Sequence, residues 1–351
     1  MKDVKVAIIG VGAIAEATHL KYLKQHPEVT IEAVVDISIN HAENIARTHQ
    51  ISYFFTTMDE LLDSIKVDAV LICTPNLTHI SLAKKAAAKG IHVFIEKPIG
   101  TAEDEINDYL NLAEEKKVLT MVGMTHRFRT DATILKKYVE QETFGEIYYA
   151  KAKLFRRRGT PQGWFTNKEL AGGGAMMDIG VHALDLAWWL MGTPDVETIT
   201  GKTLAALGTY QTKHVSTWES RNKYINANKV FDVEDFGAAW IRFSNGSVLS
   251  LEIAWAMNGK QDEGIQIELL GDKGGASLVP LTVYKEEIDG NFVTSSPHFV
   301  ENDPFKDEIE HFIECIQTRT TPLISGEDGR EVVKMLQGIY ESSDKKREIQ
   351  F

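Results

Sequence analysis

Val4 to Ile9 is an apolar run that stops at Gly10-Val11-Gly12-Ala13-Ile14-Ala15 and continues into a helical stretch, Glu16 to Gln25. A strand that turns through two glycines straight into a helix begins a βαβ unit, which commits the chain to a parallel sheet. Gly10 permits the tight turn, Gly12 lets the backbone approach a pyrophosphate, and Ala15 lets the helix pack closely on its strand. The start of that helix, at Ala13 and Ile14, offers unpaired N–H groups and a positive dipole end to phosphate. A second strand, Ile31 to Val35, ends in Asp36, about 20 residues further on, where an acid accepts hydrogen bonds from a ribose diol. Ile37-Ser38-Ile39 follows without an arginine to offset a 2′-phosphate, so NAD is expected rather than NADP.

Composition excludes several other classes. The chain has 351 residues, a length for two domains, and 43% hydrophobic content supports sizeable cores. With 50 acidic against 38 basic residues its formal charge is −12, which disfavours nucleic acid and anionic membranes as partners. Arg156-Arg157-Arg158 is only a local basic patch. Cys73 and Cys315 lie far apart with no metal-site spacing, so neither a disulfide framework nor a metal site is expected. No apolar run approaches the roughly 18 residues of a membrane span, and a strand beginning near Val4 leaves no room for a signal peptide. A cytoplasmic location is the expectation.

Strand-like runs at Ala69 to Cys73, His92 to Ile95 and Leu119 to Val122 alternate with helical patterns at Ser81 to Lys89 and Ala102 to Lys116. The first domain is therefore a doubly wound parallel α/β sheet of the Rossmann type spanning residues 1–123. From residue 124 to 351 the period changes. Ile147 to Phe155, Val196 to Leu204, Val233 to Phe243, Ser247 to Ala256, Ile265 to Leu270 and Ala276 to Val279 read as strands, with Asn245-Gly246 as a hairpin turn. Helices are expected at Gly174 to Met191, Phe305 to Gln317 and Glu327 to Ser342, which makes an α+β domain with a large, mostly antiparallel sheet. Gly208 to Ala227 reads as an exposed loop. Strands such as Leu249 to Trp255, apolar on both faces, call for a second copy of the chain as partner, in a homodimer or homotetramer.

Chemistry gathers at four places. Glu96-Lys97-Pro98 ends a buried strand at the carboxyl edge of the sheet, where open α/β folds bind ligands, and a partly desolvated Lys97 there can bind a substrate oxygen. Thr74-Pro75-Asn76-Leu77-Thr78-His79 opens the next helix; it either contacts the nicotinamide ribose or serves, through Thr78 or Asn76, as a cap. Thr125-His126-Arg127-Phe128 forms the domain junction, where Arg127 either reaches the cofactor or pairs with an interface carboxylate. Beyond Gly172-Gly173-Gly174, Asp178 and His182 stand four apart, hence on one face of a helix, so that the carboxylate would orient the imidazole and raise its pKa. Asp185 reads as a structural anchor of that helix, and Trp188 and Trp189 as core.

Gly10-x-Gly12-x-x-Ala15, Thr74-Pro75-Asn76-x-x-His79, Glu96-Lys97-Pro98, Gly172-Gly173-Gly174 with Asp178-Ile179-Gly180-x-His182, and Ile324-Ser325-Gly326-Glu327-Asp328-Gly329 together resemble the Gfo/Idh/MocA oxidoreductases over nearly the whole chain. The resemblance implies that Lys97, Asp178 and His182 line a catalytic site and that Glu96 sits near the nicotinamide ribose. It also implies a secondary hydroxyl of a sugar, sugar derivative or inositol-like polyol as the substrate group. His182 and Lys97 both stand as candidates for the principal base. Trp164, in a loop like one that borders the substrate in sugar-oxidising relatives, either stacks on a sugar or packs within its loop. A protein that keeps its cofactor bound while reducing a second sugar, and a silent NAD sensor, are the alternatives. The intact Lys97, Asp178 and His182 set argues against the sensor.

Overall fold

The computed structural model describes residues 3–208, 230–260 and 264–351. Six parallel strands form the first sheet: β1 (Val4–Ile9), β2 (Val29–Val35), β3 (Tyr53–Phe55), β4 (Ala69–Ile72), β5 (His92–Glu96) and β6 (Thr120–Gly123). Their order is β3-β2-β1-β4-β5-β6, so the chain reverses direction across the sheet between β1 and β4, and that switch point opens a crevice at the carboxyl ends. β1, β4, β5 and β6 are buried almost throughout because helices cover both faces of the sheet. Sequence periodicity missed β3, which is only three residues long, and the helices Ile39–His49, Met58–Ser64 and Thr130–Glu140.

The second sheet has nine strands: β7 (Ile147–Phe155), β8 (Val196–Leu204), β9 (Phe236–Phe243), β10 (Val248–Ala254), β11 (Gly264–Gly271), β12 (Gly274–Ser277), β13 (Thr282–Glu286), β14 (Phe292–Ser295) and β15 (Ile349–Gln350). β10 runs parallel to β7; the other neighbours are antiparallel. The expected hairpin at Asn245-Gly246 joins β9 to β10, and Gly246 takes φ +85° there. Val233 to Asp235 precede β9 rather than extending it, and the loop expected at 208–227 lies, beyond Gly208, outside the described residues.

One face of this sheet, built from residues such as Ala152, Ile241, Leu251 and Ile267, is buried beneath the helix Val181–Leu190. The opposite face is mixed rather than uniformly apolar: Trp240 stays 40% exposed and packs at a tilt against Tyr149, with the Lys151–Glu268 ion pair nearby. The chain then returns to the first domain, where Val122 N–H donates to Ile324 C=O and the helix Gly326–Lys345 packs beside β6.

Arg127 fastens the turn after β6 to the body of the second domain. Its guanidinium is bidentate with Asp185 at 3.0 and 2.6 Å, donates to Leu323 C=O, and reaches Asp328 at 3.5 Å. Both partners of the Arg127–Asp185 pair are 1% exposed, and Arg127 lies over Trp188 and Trp189 in the core. The expected cofactor contact by Arg127 is therefore corrected: its donors are consumed inside the protein, and leaving Asp185 buried without a partner would be strongly unfavourable.

Candidate active site

The glycine loop is shaped for a ligand. A side chain on Gly10 would lie 2.8 Å from Thr74 Cγ2 and 2.9 Å from the Cys73 carbonyl, and Gly10 takes φ +85°. Gly12, in contrast, faces open space, with nothing within 4 Å of the position a Cβ would take. Backbone closed on one side and bare on the other is what a pyrophosphate needs. Asp36 is half-buried beside the loop, where Oδ1 accepts from Ser38 N–H at 2.9 Å and Oδ2 from Val11 N–H at 3.4 Å. These residues fit the pyrophosphate end of a dinucleotide, with the Asp36 carboxylate held beside the loop.

The Thr-Pro-Asn-x-x-His segment is scaffold more than contact. His79 is fully buried, with Nδ1 and Nε2 each 2.8 Å from a carbonyl, of Pro98 and Thr74. The expected cofactor role for His79 is corrected accordingly: it joins the turn after β4 to the turn after β5. Asn76 donates from Nδ2 to Ala171 C=O at 2.8 Å, so its amide latches the first domain to the second, while Thr74 and Pro75 remain partly exposed at the turn.

Glu96 ends β5 with both carboxylate oxygens engaged, Oε1 by His19 Nε2 at 2.7 Å and Oε2 by Lys97 N–H at 3.1 Å. Burial pushes its carboxyl up, but the hydrogen bond and charge of His19, together with Lys97, outweigh that and hold it below the usual value. Lys97 Nζ crosses to the second domain and donates to Asp178 C=O at 2.7 Å and Asp178 Oδ1 at 3.1 Å. Trp255 Nε1 donates to the other carboxylate oxygen, Oδ2, at 2.9 Å.

The segment carrying Asp178 is held from below. Glu234 accepts Gly174 N–H and Met176 N–H, both at 2.9 Å, and the Tyr340 hydroxyl at 2.8 Å, which places a carboxylate at the start of the helix. The three glycines before it admit protein rather than ligand: a Cβ at Gly174 would sit 1.9 Å from Glu234 C=O, and one at Gly173 2.1 Å from the Tyr340 hydroxyl.

His182 is the correction that matters for mechanism. Its expected hydrogen bond to Asp178 is absent: the two Asp178 carboxylate oxygens are taken by Lys97 and Trp255, and the segment Met176–Gly180 that carries Asp178 is a turn of π-helix. Asp178 faces Lys97 and Trp255 instead. His182 Nδ1 is buried without a partner, which leaves Nε2 as the nitrogen open to the cleft. The imidazole is also not raised in pKa. Burial first, then the charges of Lys97, His126 and Arg156, hold it well below the ordinary histidine value.

Lys97, Asp178 and His182 thus converge from two domains, while Trp164 stays in its loop, stacked on Phe165 with ring centroids 4.0 Å apart. Sequence reasoning missed Trp255 and Glu234, whose partners are distant in the chain, and did not single out His126 within its motif.

A glycine-loop dinucleotide cradle facing a cleft of ionisable side chains defines a nucleotide-dependent oxidoreductase. The chain belongs to the Gfo/Idh/MocA family: residues 4–124 match its NAD-binding Rossmann-fold oxidoreductase model and 136–351 its C-terminal α/β domain model. It is similar to D-glucoside 3-dehydrogenase of Escherichia coli, with 29% identity over 97% of this chain and 95% of that protein. It is also similar to scyllo-inositol 2-dehydrogenase (NAD⁺) of Bacillus subtilis, with 23% identity over 93% and 90%. A levoglucosan dehydrogenase solved with NADH and L-sorbose shares the fold, with a TM-score of 0.83 at 22% identity over 100% of this chain and 99% of that one.

Asp36 generates a test. The carboxylate should favour a ribose diol and repel a 2′-phosphate, so kcat/KM should be higher with NAD than with NADP, and Asp36→Ser should narrow the gap by roughly tenfold or more. Equal efficiency with both cofactors in the unaltered protein would contradict this account of Asp36.

Proposed function

We propose that this protein oxidises a secondary hydroxyl of a sugar, sugar derivative or cyclic polyol to the ketone, with NAD as hydride acceptor. The observation that carries the reading is the meeting of Lys97, Asp178 and a neutral His182 at the carboxyl edge of the parallel sheet. The relatives named above, which act on glucosides and inositols, supply the substrate class. Gly10, Gly12, Ala13, Ile14 and Asp36 would hold NAD, which when bound would supply the hydride-accepting chemistry.

The chain's own residues manage the proton. His182 Nε2, neutral and open to the cleft, takes the hydroxyl proton as the carbon–hydrogen bond breaks. Lys97 donates a hydrogen bond to the same oxygen and stabilises negative charge developing on it. Asp178 holds the Lys97 ammonium in place and is itself fixed by Trp255, so it orients the lysine rather than the histidine. Trp164 borders the substrate from its loop.

The Trp240 face of the second sheet is proposed to pair with the same face of a second copy about a two-fold axis, giving a homodimer or a homotetramer. Light scattering on Trp240→Glu should show smaller assemblies than the unaltered chain; a monomer before mutation would contradict the pairing. The free cysteines, Cys73 half-buried and Cys315 buried, suit the reducing cytoplasm proposed as its compartment, and no helix among the described residues is long and apolar enough to cross a membrane.

His182→Ala should lower kcat by roughly 10²-fold or more with NAD affinity nearly unchanged, because the cofactor is held by the other domain. Since the imidazole is already neutral at pH 7, the rising limb of alcohol oxidation should lie below pH 6.5 and vanish in that variant. Near-full activity in His182→Ala together with a dead Lys97→Ala would make the lysine the base. Activity in both variants would remove the assigned site.

A further inference from the structure

His126 occupies a place in this cleft that the mechanism above does not use. It lies in the short turn Thr125–Phe128 after β6, and both of its neighbours are anchored in the core. Thr125 Oγ1 donates to Glu308 Oε2 at 3.0 Å, and Arg127 is bidentate with Asp185. With the backbone pinned on either side, the His126 ring meets His182 edge to face, with centroids 4.9 Å apart and planes at 85°. The ring is half-buried. Neither of its nitrogens has a hydrogen-bond partner among the described residues, and neither is sealed from the cleft.

We propose that His126 is a second substrate-binding imidazole, which hydrogen-bonds the hydroxyl next to the one being oxidised and makes the site selective for vicinal diols. The inference rests on the sugar or polyol dehydrogenase reading and adds the substrate feature that the site recognises. A neutral imidazole offers one donor and one acceptor, the same complement as a hydroxyl, whereas a lysine or carboxylate offers only one kind. Burial, with Arg129 and Lys97 against the opposing Asp131, pushes His126 down to about 4, so it presents that neutral form at working pH. Two imidazoles in edge contact, with Lys97 on the same cleft, can be bridged by adjacent hydroxyls of one ring. An isolated alcohol would satisfy His182 and leave His126 without a partner. A site built to hydrogen-bond a hydroxyl discriminates against the analogue that lacks it.

The test reads binding separately from turnover. Isothermal titration of the NADH-loaded enzyme, which cannot oxidise an alcohol, is carried out with methyl β-D-glucopyranoside and each of its monodeoxy analogues. The proteins are the unaltered chain, His126→Ala and His126→Gln, with thermal unfolding of each as the folding control. The expected result is that His126→Ala weakens the parent glucoside by roughly tenfold. One monodeoxy analogue should bind the unaltered and alanine proteins equally, and His126→Gln should recover part of the parent affinity. The same loss across every analogue would mark His126 as merely structural and overturn the inference, as would no loss, or no binding of the glucoside to the unaltered enzyme. Binding without NADH production when NAD is supplied instead would overturn the dehydrogenase reading, while the affinity ratios would still decide the role of His126.

Discussion

The contact between Lys97 Nζ and Asp178 is the constraint on which the site depends. Lys97 leaves the carboxyl end of β5 in one domain, and Asp178 sits on the π-helical turn of the other, so the ion pair sets where the two halves of the cleft meet. The side chains are 17% and 13% exposed, enough for a substrate to reach them yet dry enough for charge to act strongly. The direct hydrogen bond to Trp255 prevents Asp178 from turning back to His182. Burial, and after it the cation held beside the imidazole, keep His182 in its neutral form, which is the form a base requires.

Much of the surrounding architecture serves to hold that contact. Glu96 is clamped by His19 immediately before Lys97, and His79 ties down the Pro98 carbonyl immediately after it. On the other side, Glu234 and Tyr340 grip the glycine run that leads to Asp178, and the missing side chains at Gly173 and Gly174 let them come close. Asn76 adds a further link between the domains, and Arg127 fastens the turn after β6 to the helix that carries Asp185. Glu308, buried beneath this region with burial and Glu96 raising its carboxyl well above the usual value, supports Thr125 and hence the turn that carries His126. Such enclosure of polar groups costs stability unless they are paired, and the region concentrates several of the buried polar residues of the first domain in one place.

What was legible in the sequence is what short range determines. The strand–glycine–helix start, Asp36 at the end of β2, Lys97 at the end of β5 and the glycine run before Asp178 are all local patterns with local physical reasons. Periodicity also placed most strands to within one or two residues, and failed on β3, β13, β14 and β15, which are short and lie towards sheet edges. The pairings were not legible. Arg127 with Asp185, Trp255 with Asp178 and Glu234 with Gly174 join residues that only the tertiary fold brings together, and side-chain pattern reports a face without naming its partner. The Asp178–His182 expectation failed for the same reason: spacing of four brings two side chains to one face of a helix, but the partners that claim the Asp178 carboxylate, Lys97 and Trp255, come from elsewhere in the fold.

The central claim is that burial, reinforced by the positive charge of Lys97 that Asp178 holds in place, keeps His182 neutral. It is tested most directly by the titration of the His182 ring, followed by NMR in the unaltered protein and in Lys97→Met. The account predicts a midpoint below 6.5 in the unaltered protein that moves upward when the lysine charge is removed. A midpoint at or above 6.5, or one that does not move in Lys97→Met, would contradict it.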